Sequence, residues 1–126
     1  MRNCETAWQF QTEREFGKHK LRYINVSELG MDGPTVGNVT IDDTMISSAI
    51  FGGPPISDGV YLYIPEFQRN LFSSGFKICK VNMETLQNRV YGELKPVIAL
   101  DRIENNIIYY FADRNQTKQL TFTIPI

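Results

Sequence analysis

The sequence predicts a mainly β protein: an antiparallel sheet, β-sandwich or partial barrel, in α+β style with one or two short helices. Three observations predict it. Apolar side chains recur with period two rather than 3.6. Short apolar runs are bounded by Gly, Pro, Asn and Asp at close intervals. The one helix candidate, near residues 43–50, is barely two turns long. With 126 residues, 42% of them hydrophobic and 12% aromatic, residues 1–126 read as a single domain with a real core.

The elements follow in order. Trp8, Phe10, Thr12, Arg14 and Phe16 share one parity and Gln9, Gln11, Glu13 and Glu15 the other, which predicts a half-buried strand. Gly17-Lys18-His19 turns the chain into a second strand through Leu21, Tyr23, Ile24 and Val26. Residues 27–40, broken by Gly30, Gly33, Pro34, Gly37 and Asn38, read as loop, with a short strand at Val39 and Ile41. Asp43 can cap a helix that places Met45, Ile46, Ala49 and Ile50 on one stripe and ends at Gly52. Gly52-Gly53-Pro54-Pro55 is a bend within the domain, and Asp58-Gly59 a second turn.

Val60 to Ile64 (Val-Tyr-Leu-Tyr-Ile) is a strong β segment that should stop at Pro65, after which Glu66 to Phe72 suits a helical turn. Beyond Gly75 the chain meanders. Phe76, Ile78 and Lys80 alternate with Lys77, Cys79 and Val81. Residues 82–88 turn or form a brief helix. Residues 97–103 and 107–112 extend around Asn105-Asn106, a pair that tolerates positive φ. A turn at 113–116 leads to Leu120, Phe122 and Ile124, and Pro125 ends the ladder. The terminal hairpins look like fragments of a propeller blade, but one chain of this length cannot supply the blades a propeller needs.

Charge carries the functional information. From Tyr23 to Gln68 there are six carboxylates (Glu28, Asp32, Asp42, Asp43, Asp58, Glu66) and no Lys or Arg. Residues 1–22 hold five basic and three acidic residues, and 69–126 hold eight and five, so segments of +2, −6 and +3 sum to the net −1. Uncompensated acid favours a basic protein partner and opposes nucleic acid. The expected contacts are Asp32, Asp42, Asp43, Asp58 and Glu66, with Tyr61 or Phe67 as an apolar anchor.

Catalytic patterns are sparse. His19 is the single histidine, between Lys18 and Lys20, two cations that should depress its proton affinity. Two cysteines, Cys4 and Cys79, are too few for a disulfide framework and read as free thiols, Cys79 as a small core residue; the alternative is one bridge pinning the N-terminus, which needs an oxidising compartment. No CxxC or HxxxH spacing exists, so no metal site and no cofactor are expected. Asp42-Asp43 lacks the alternating acids of a calcium loop. Gly52-Gly53 lacks the Gly-Lys-Ser/Thr of a phosphate cradle. Phe76-Lys77-Ile78-Cys79-Lys80 could suit a single-strand nucleic-acid surface, but its spacing puts Lys77 and Lys80 on opposite faces of a strand, which argues against it. Acid–base chemistry by Asp58, Glu66 or Asp101 has nothing to select it.

No apolar run is long enough to span a membrane, and the opening residues are polar, so a cytoplasmic protein is expected. On that basis Asn25-Val26-Ser27, Asn38-Val39-Thr40 and Asn115-Gln116-Thr117 are coincidental rather than glycan acceptors. A monomer is expected, because Pro65 and Pro125 blunt exposed edges.

With its acidic window and its aromatic β segments Val60–Ile64 and Ile107–Phe111, the chain resembles the bacterial immunity proteins that neutralise contact-dependent or secreted toxins. The resemblance is one of type, with no diagnostic motif and no residue to carry across. It implies a non-catalytic antidote that offers Asp and Glu where a cationic toxin nuclease would bind phosphate. Two other readings stand beside it: a small-ligand or carbohydrate-binding β domain, marked by a deep aromatic-lined pocket, and an enzyme built on two carboxylates across a cleft.

Overall fold

The computed structural model describes residues 5–125, which are built from strands and turns with no helix among them. The strands are β1 (Glu13–Phe16), β2 (His19–Glu28), β3 (Thr35–Ile41), β4 (Thr44–Met45), β5 (Ile50–Phe51) and β6 (Ile56–Ser57), followed by β7 (Tyr61–Arg69), β8 (Ser74–Asn82), β9 (Asn88–Lys95), β10 (Ala99–Glu104), β11 (Ile107–Phe111) and β12 (Gln119–Thr123). Nine form one antiparallel sheet in the order β1-β2-β3-β5-β7-β8-β9, with β4 on β3 and β6 on β7. The last three form a separate antiparallel meander. The large sheet is open, with β1 and β9 at its edges, so the fold is not a closed barrel.

The β7–β8 hairpin is the middle of the molecule. It pairs without a register shift from Tyr61↔Asn82 to Arg69↔Ser74. Both its faces are covered. On one, Leu62, Ile64, Cys79 and Val81 pack with Leu21, Tyr23, Val39, Ile41 and Phe51, because the large sheet rolls over on itself. On the other, Tyr63, Phe76 and Ile78 pack with Ile98, Leu100, Ile108, Tyr110 and Ile124 of the meander. A strand covered twice has no wet face, so its sequence reads as a continuous apolar run rather than an alternation.

A third, smaller cluster ties the N-terminal segment to the far side of the meander: Ala7 and Trp8 meet Val97, Ala99 and Phe111. This shortens the first strand. Thr6 and Gln9 exchange backbone hydrogen bonds of 3.0 and 3.2 Å, and regular pairing begins only at Glu13. Cys79 is a free, fully buried thiol, and Cys4 lies outside the described residues.

The helix expected at 43–50 does not form. Asp42 and Asp43 have φ of 51° and 69°, the signature of a two-residue type I′ turn, and link β3 to β4. Only Ile46 of the expected stripe is fully buried. No helical turn forms at 66–72 either, because β7 runs through Pro65 to Arg69. The Pro65 carbonyl accepts the Gly52 N–H at 2.8 Å, so its backbone groups face β5, and its missing N–H falls where β5 stops at Phe51.

The brief helix considered for 82–88 is a turn, with Leu86 at φ 65° and Asn82 Oδ1 accepting the N–H groups of Glu84 and Thr85. The loop read over 27–40 shrinks to residues 29–34, since β3 already starts at Thr35. Gly37 explains the misreading: a Cβ there would sit 2.8 Å from the Ile24 carbonyl, so this glycine permits strand contact instead of ending a strand. The bend at Gly52-Gly53-Pro54-Pro55 is entirely buried, and a Cβ on Gly53 would press into the Phe10 ring at 2.6 Å. Asn105-Asn106 turns the β10–β11 hairpin with φ of 51° and 64°, as its composition predicts.

Because Leu62 is wholly enclosed between the two halves of the rolled sheet, truncation leaves a void that close packing cannot refill. Leu62→Ala should lower unfolding free energy by about 2–5 kcal/mol with an unchanged denaturant slope. Leu71→Ala, at an exposed hairpin tip, should stay within about 0.5 kcal/mol. Urea titrations followed by circular dichroism compare the two.

Candidate functional site

The acids of the central window do not form one unpaired surface. Asp42 bonds the backbone N–H of Lys20 at 2.9 Å through Oδ1 and His19 Nδ1 at 2.6 Å through Oδ2. Asp43 pairs with Arg22 at 3.1 Å. Asp58 Oδ1 accepts the N–H groups of Val60 and Tyr61 at 2.9 and 2.8 Å, so this side chain shapes the β6–β7 turn. Glu66 is 8% exposed, lies on the rolled-sheet face of β7, and accepts the Gln68 side-chain amide at 2.8 Å. Asp32 is exposed in the β2–β3 turn, where its carbonyl accepts the Trp8 indole N–H at 2.8 Å. Of the two apolar anchors, Phe67 is half-buried edge-on to Phe76 with centroids 5.5 Å apart, and Tyr61 is half-buried at the start of β7.

His19 is better described as a clip than as a base. Its Nδ1 meets Asp42 and its Nε2 meets Glu84 Oε1 at 3.2 Å, and Lys18 Nζ reaches the same Glu84 oxygen at 2.9 Å. The β1–β2, β3–β4 and β8–β9 turns therefore meet at one histidine. The Asp42 hydrogen bond holds the His19 proton above its ordinary range, against burial that pulls the other way. The depression expected from Lys18 and Lys20 is thus reversed, since two carboxylates contact the ring directly. Asp42 and Glu84 are held below the ordinary carboxylate range, Asp42 chiefly by His19 and Glu84 chiefly by Lys18.

The other reactive types are also engaged. Burial pushes the Cys79 thiol far up, with Glu66 adding to the shift, so it is a poor nucleophile. Asp101 and Glu104 line an open depression of about 500 Å³ below the meander, but Arg102 bridges them, with Nη1 and Nε each 2.9 Å from a carboxylate oxygen. The same guanidinium lies 4.0 Å over the Tyr109 ring. Among the described residues no group of three His, Cys, Asp or Glu is placed to hold a metal ion.

Two surface features are absent from the sequence reading. The first is the β7–β8 tip. Asn70 Oδ1 accepts the N–H groups of Phe72 and Ser73 at 2.9 and 2.8 Å and the Ser73 hydroxyl at 3.2 Å. That turn holds Leu71 and Phe72 out at 88% and 92% exposure. Only the apolar pair at 71–72 signals it in sequence, and that pair read instead as part of a helical turn. The second is an open groove of about 560 Å³ lined by Tyr61, Lys80, Asn82, Gln87, Asn88, Arg89 and Tyr91. Lys80 Nζ lies 4.1 Å over the Tyr61 ring, and the Arg89 guanidinium 6.0 Å over the Tyr91 ring. These groups are spread over thirty positions and converge only through pairing of β7, β8 and β9.

No protein-family model matches this chain, and neither a curated protein nor a solved structure is significantly similar to it.

The clip makes a signed prediction. The His19 contribution is full below its ordinary value of 6.5 and disappears as pH rises through the raised folded value. The Asp42 and Glu84 contributions are full above their ordinary 3.8 and 4.5 and disappear as pH falls through the depressed folded values. Stability from the clip should therefore be greatest between those limits. The urea midpoint should drop when pH is raised from about 6 to about 8.5, and His19→Gln should remove that slope. An unchanged slope in the variant would assign the pH dependence elsewhere.

Proposed function

We propose that this chain is a non-catalytic protein-binding module and, in its most specific form, an immunity protein that blocks a cationic toxin nuclease. The observation that carries the binding reading is the Leu71–Phe72 tip, two large apolar side chains held in solvent by a turn that Asn70 stabilises. Water contact of this kind disfavours the free molecule, and burial of a pre-positioned aromatic is a common source of interface energy. Because the turn is ordered beforehand, docking spends little conformational entropy there.

The engagement of His19, Cys79 and Asp101 in structural contacts supports a role other than chemistry. The immunity form leans on two exposed carboxylates without a cationic partner among the described residues, Asp32 and Asp58, because Asp43 is already paired with Arg22. They would steer a basic partner while the tip supplies the anchor. Asp42 and Glu66 belong to the scaffold in this reading, and the anchor passes from Phe67 to Phe72, since Phe67 is committed to Phe76.

A toxin candidate from the neighbouring reading frame, expressed with and without this chain, tests the proposal. Survival should require the chain, and Leu71→Asp with Phe72→Asp should weaken the complex tenfold or more, about the loss of a single hot spot, while the urea midpoint holds. Survival without the chain would remove the immunity form. Equal affinity of the double variant would remove the tip as the anchor.

A further inference from the structure

We infer that the groove beside β9 is a docking site for an extended acidic segment of a partner protein, which adds to the free edge of β9 and places its carboxylates on Arg89 and Lys80. Three observations converge on this. β9 ends the strand order of the large sheet, so one side of it carries no partner strand. Asn82 N–H donates to the Gln87 carbonyl, so by alternation the backbone groups of Asn88 and Val90 point outward, away from β8. An extended peptide meets such groups with main-chain hydrogen bonds, and its alternate side chains then fall on the groove.

The chemistry of the lining selects acid. Lys80 and Arg89 are opposite each other in register and on one face, and neither has a carboxylate within ion-pair distance among the described residues. No carboxylate lines the groove. Each cation rests near a tyrosine ring, Lys80 over Tyr61 on β7 and the exposed Arg89 by Tyr91 on β9 itself, which orders its stem. Gln87 adds a carboxamide that can both donate and accept to a peptide backbone, while Asn82 Oδ1 and Asn88 Nδ2 are engaged within the β8–β9 turn. A peptide is favoured over single-stranded nucleic acid because the rings that would stack bases already hold cations, and two charges make a short footprint for a polyanion.

Gly92, with φ of 91°, and the register shift between Phe76 and Ile78 kink the edge beyond Tyr91. The straight part of the site therefore ends there, and the footprint is a few residues. The groove is at the Asn82 end of β8 and the Leu71–Phe72 tip is beyond the Ser74 end, about 25 Å away at ~3.3 Å per residue. Failure of one site leaves the other standing.

Fluorescence anisotropy on the intact chain tests the site with a labelled octapeptide of alternating Glu and Val. It should bind in the micromolar range, weaken as salt is raised, and lose at least tenfold in affinity to Lys80→Gln with Arg89→Gln. The same peptide N-methylated at alternate backbone nitrogens should also lose binding, because edge addition needs those donors. Circular dichroism checks the fold of the variant. If it is disturbed, the single Arg89→Gln and the Lys–Val octapeptide, which should not bind, decide the matter. Equal binding of the Lys–Val or N-methylated peptide overturns the proposal, as does indifference to both glutamines. Tighter binding of an oligothymidylate overturns it in favour of a nucleic-acid surface. Concentration-dependent self-association that Glu13→Lys with Glu15→Lys abolishes would make the occupant the acidic β1 edge of a second copy, and would overturn it too.

Discussion

The structure depends on one constraint: the apolar positions of the β7–β8 ladder must be covered on both faces. Its register is continuous over nine pairs, and it separates the two main cores. A one-residue slip would exchange the sets that serve those cores, sending Leu62 and Ile64 toward the meander and Tyr63 toward the rolled sheet. The shapes of the two sets differ, because Tyr63, Phe76 and Ile78 fit the meander while Leu62, Ile64, Cys79 and Val81 fit β2 and β3. Glu66 is the buried carboxylate of this ladder. Its burial next to Cys79 carries a desolvation cost that the Gln68 amide offsets only in part. Aligning Glu66 with Phe51 on β5 and Lys77 on β8 is what continuous pairing requires of that position.

What could be read from the sequence was what is local. The hairpin turn at Asn105-Asn106, the β character of residues 60–64 and the alternation at 120–124 depend on side-chain period and on φ tolerance, and both are written in a few adjacent residues. Misreadings arose where a distant partner decides. Asp43 is compatible with a helix cap and with a type I′ turn, and the presence of β3 beside β2 selects the turn. Pro65 ends most strands, but it is harmless on the side where the neighbouring strand is two residues long. Gly37 resembles a breaker until the approach of the β2 backbone is known.

The charge pattern teaches a related lesson. Segregation along a chain becomes segregation in space only if like segments stay together, and antiparallel pairing works against that. The β2–β3 hairpin brings His19, Lys20 and Arg22 from the basic N-terminal segment alongside β3 and its Asp42-Asp43 turn. Twenty or so residues of separation are erased by one hairpin, and the acids with the strongest sequence signal became the best neutralised. The converse holds at β9. Lys80 and Arg89 are unremarkable in sequence, yet pairing leaves them together with no acid beside them.

The two edges of the large sheet show how such leftovers become chemistry. An unpaired edge invites indiscriminate addition, and proteins discourage it with charge, bulges and short strands. β1 uses brevity and outward acids at Glu13 and Glu15. β9 is eight residues long, and uses Arg89 at one end, Glu93 and Lys95 at the other, and the kink at Gly92 between them. Those devices do not close β9 completely, because Asn88 and Val90 keep straight backbone outside the sheet. A cationic guard at the Asn88 end repels another cationic edge and admits an acidic one, so the charge that discourages indiscriminate pairing also sets the sign of what can dock. Specificity here would follow from edge protection: the residues that discourage β9 from pairing with itself favour an acidic strand.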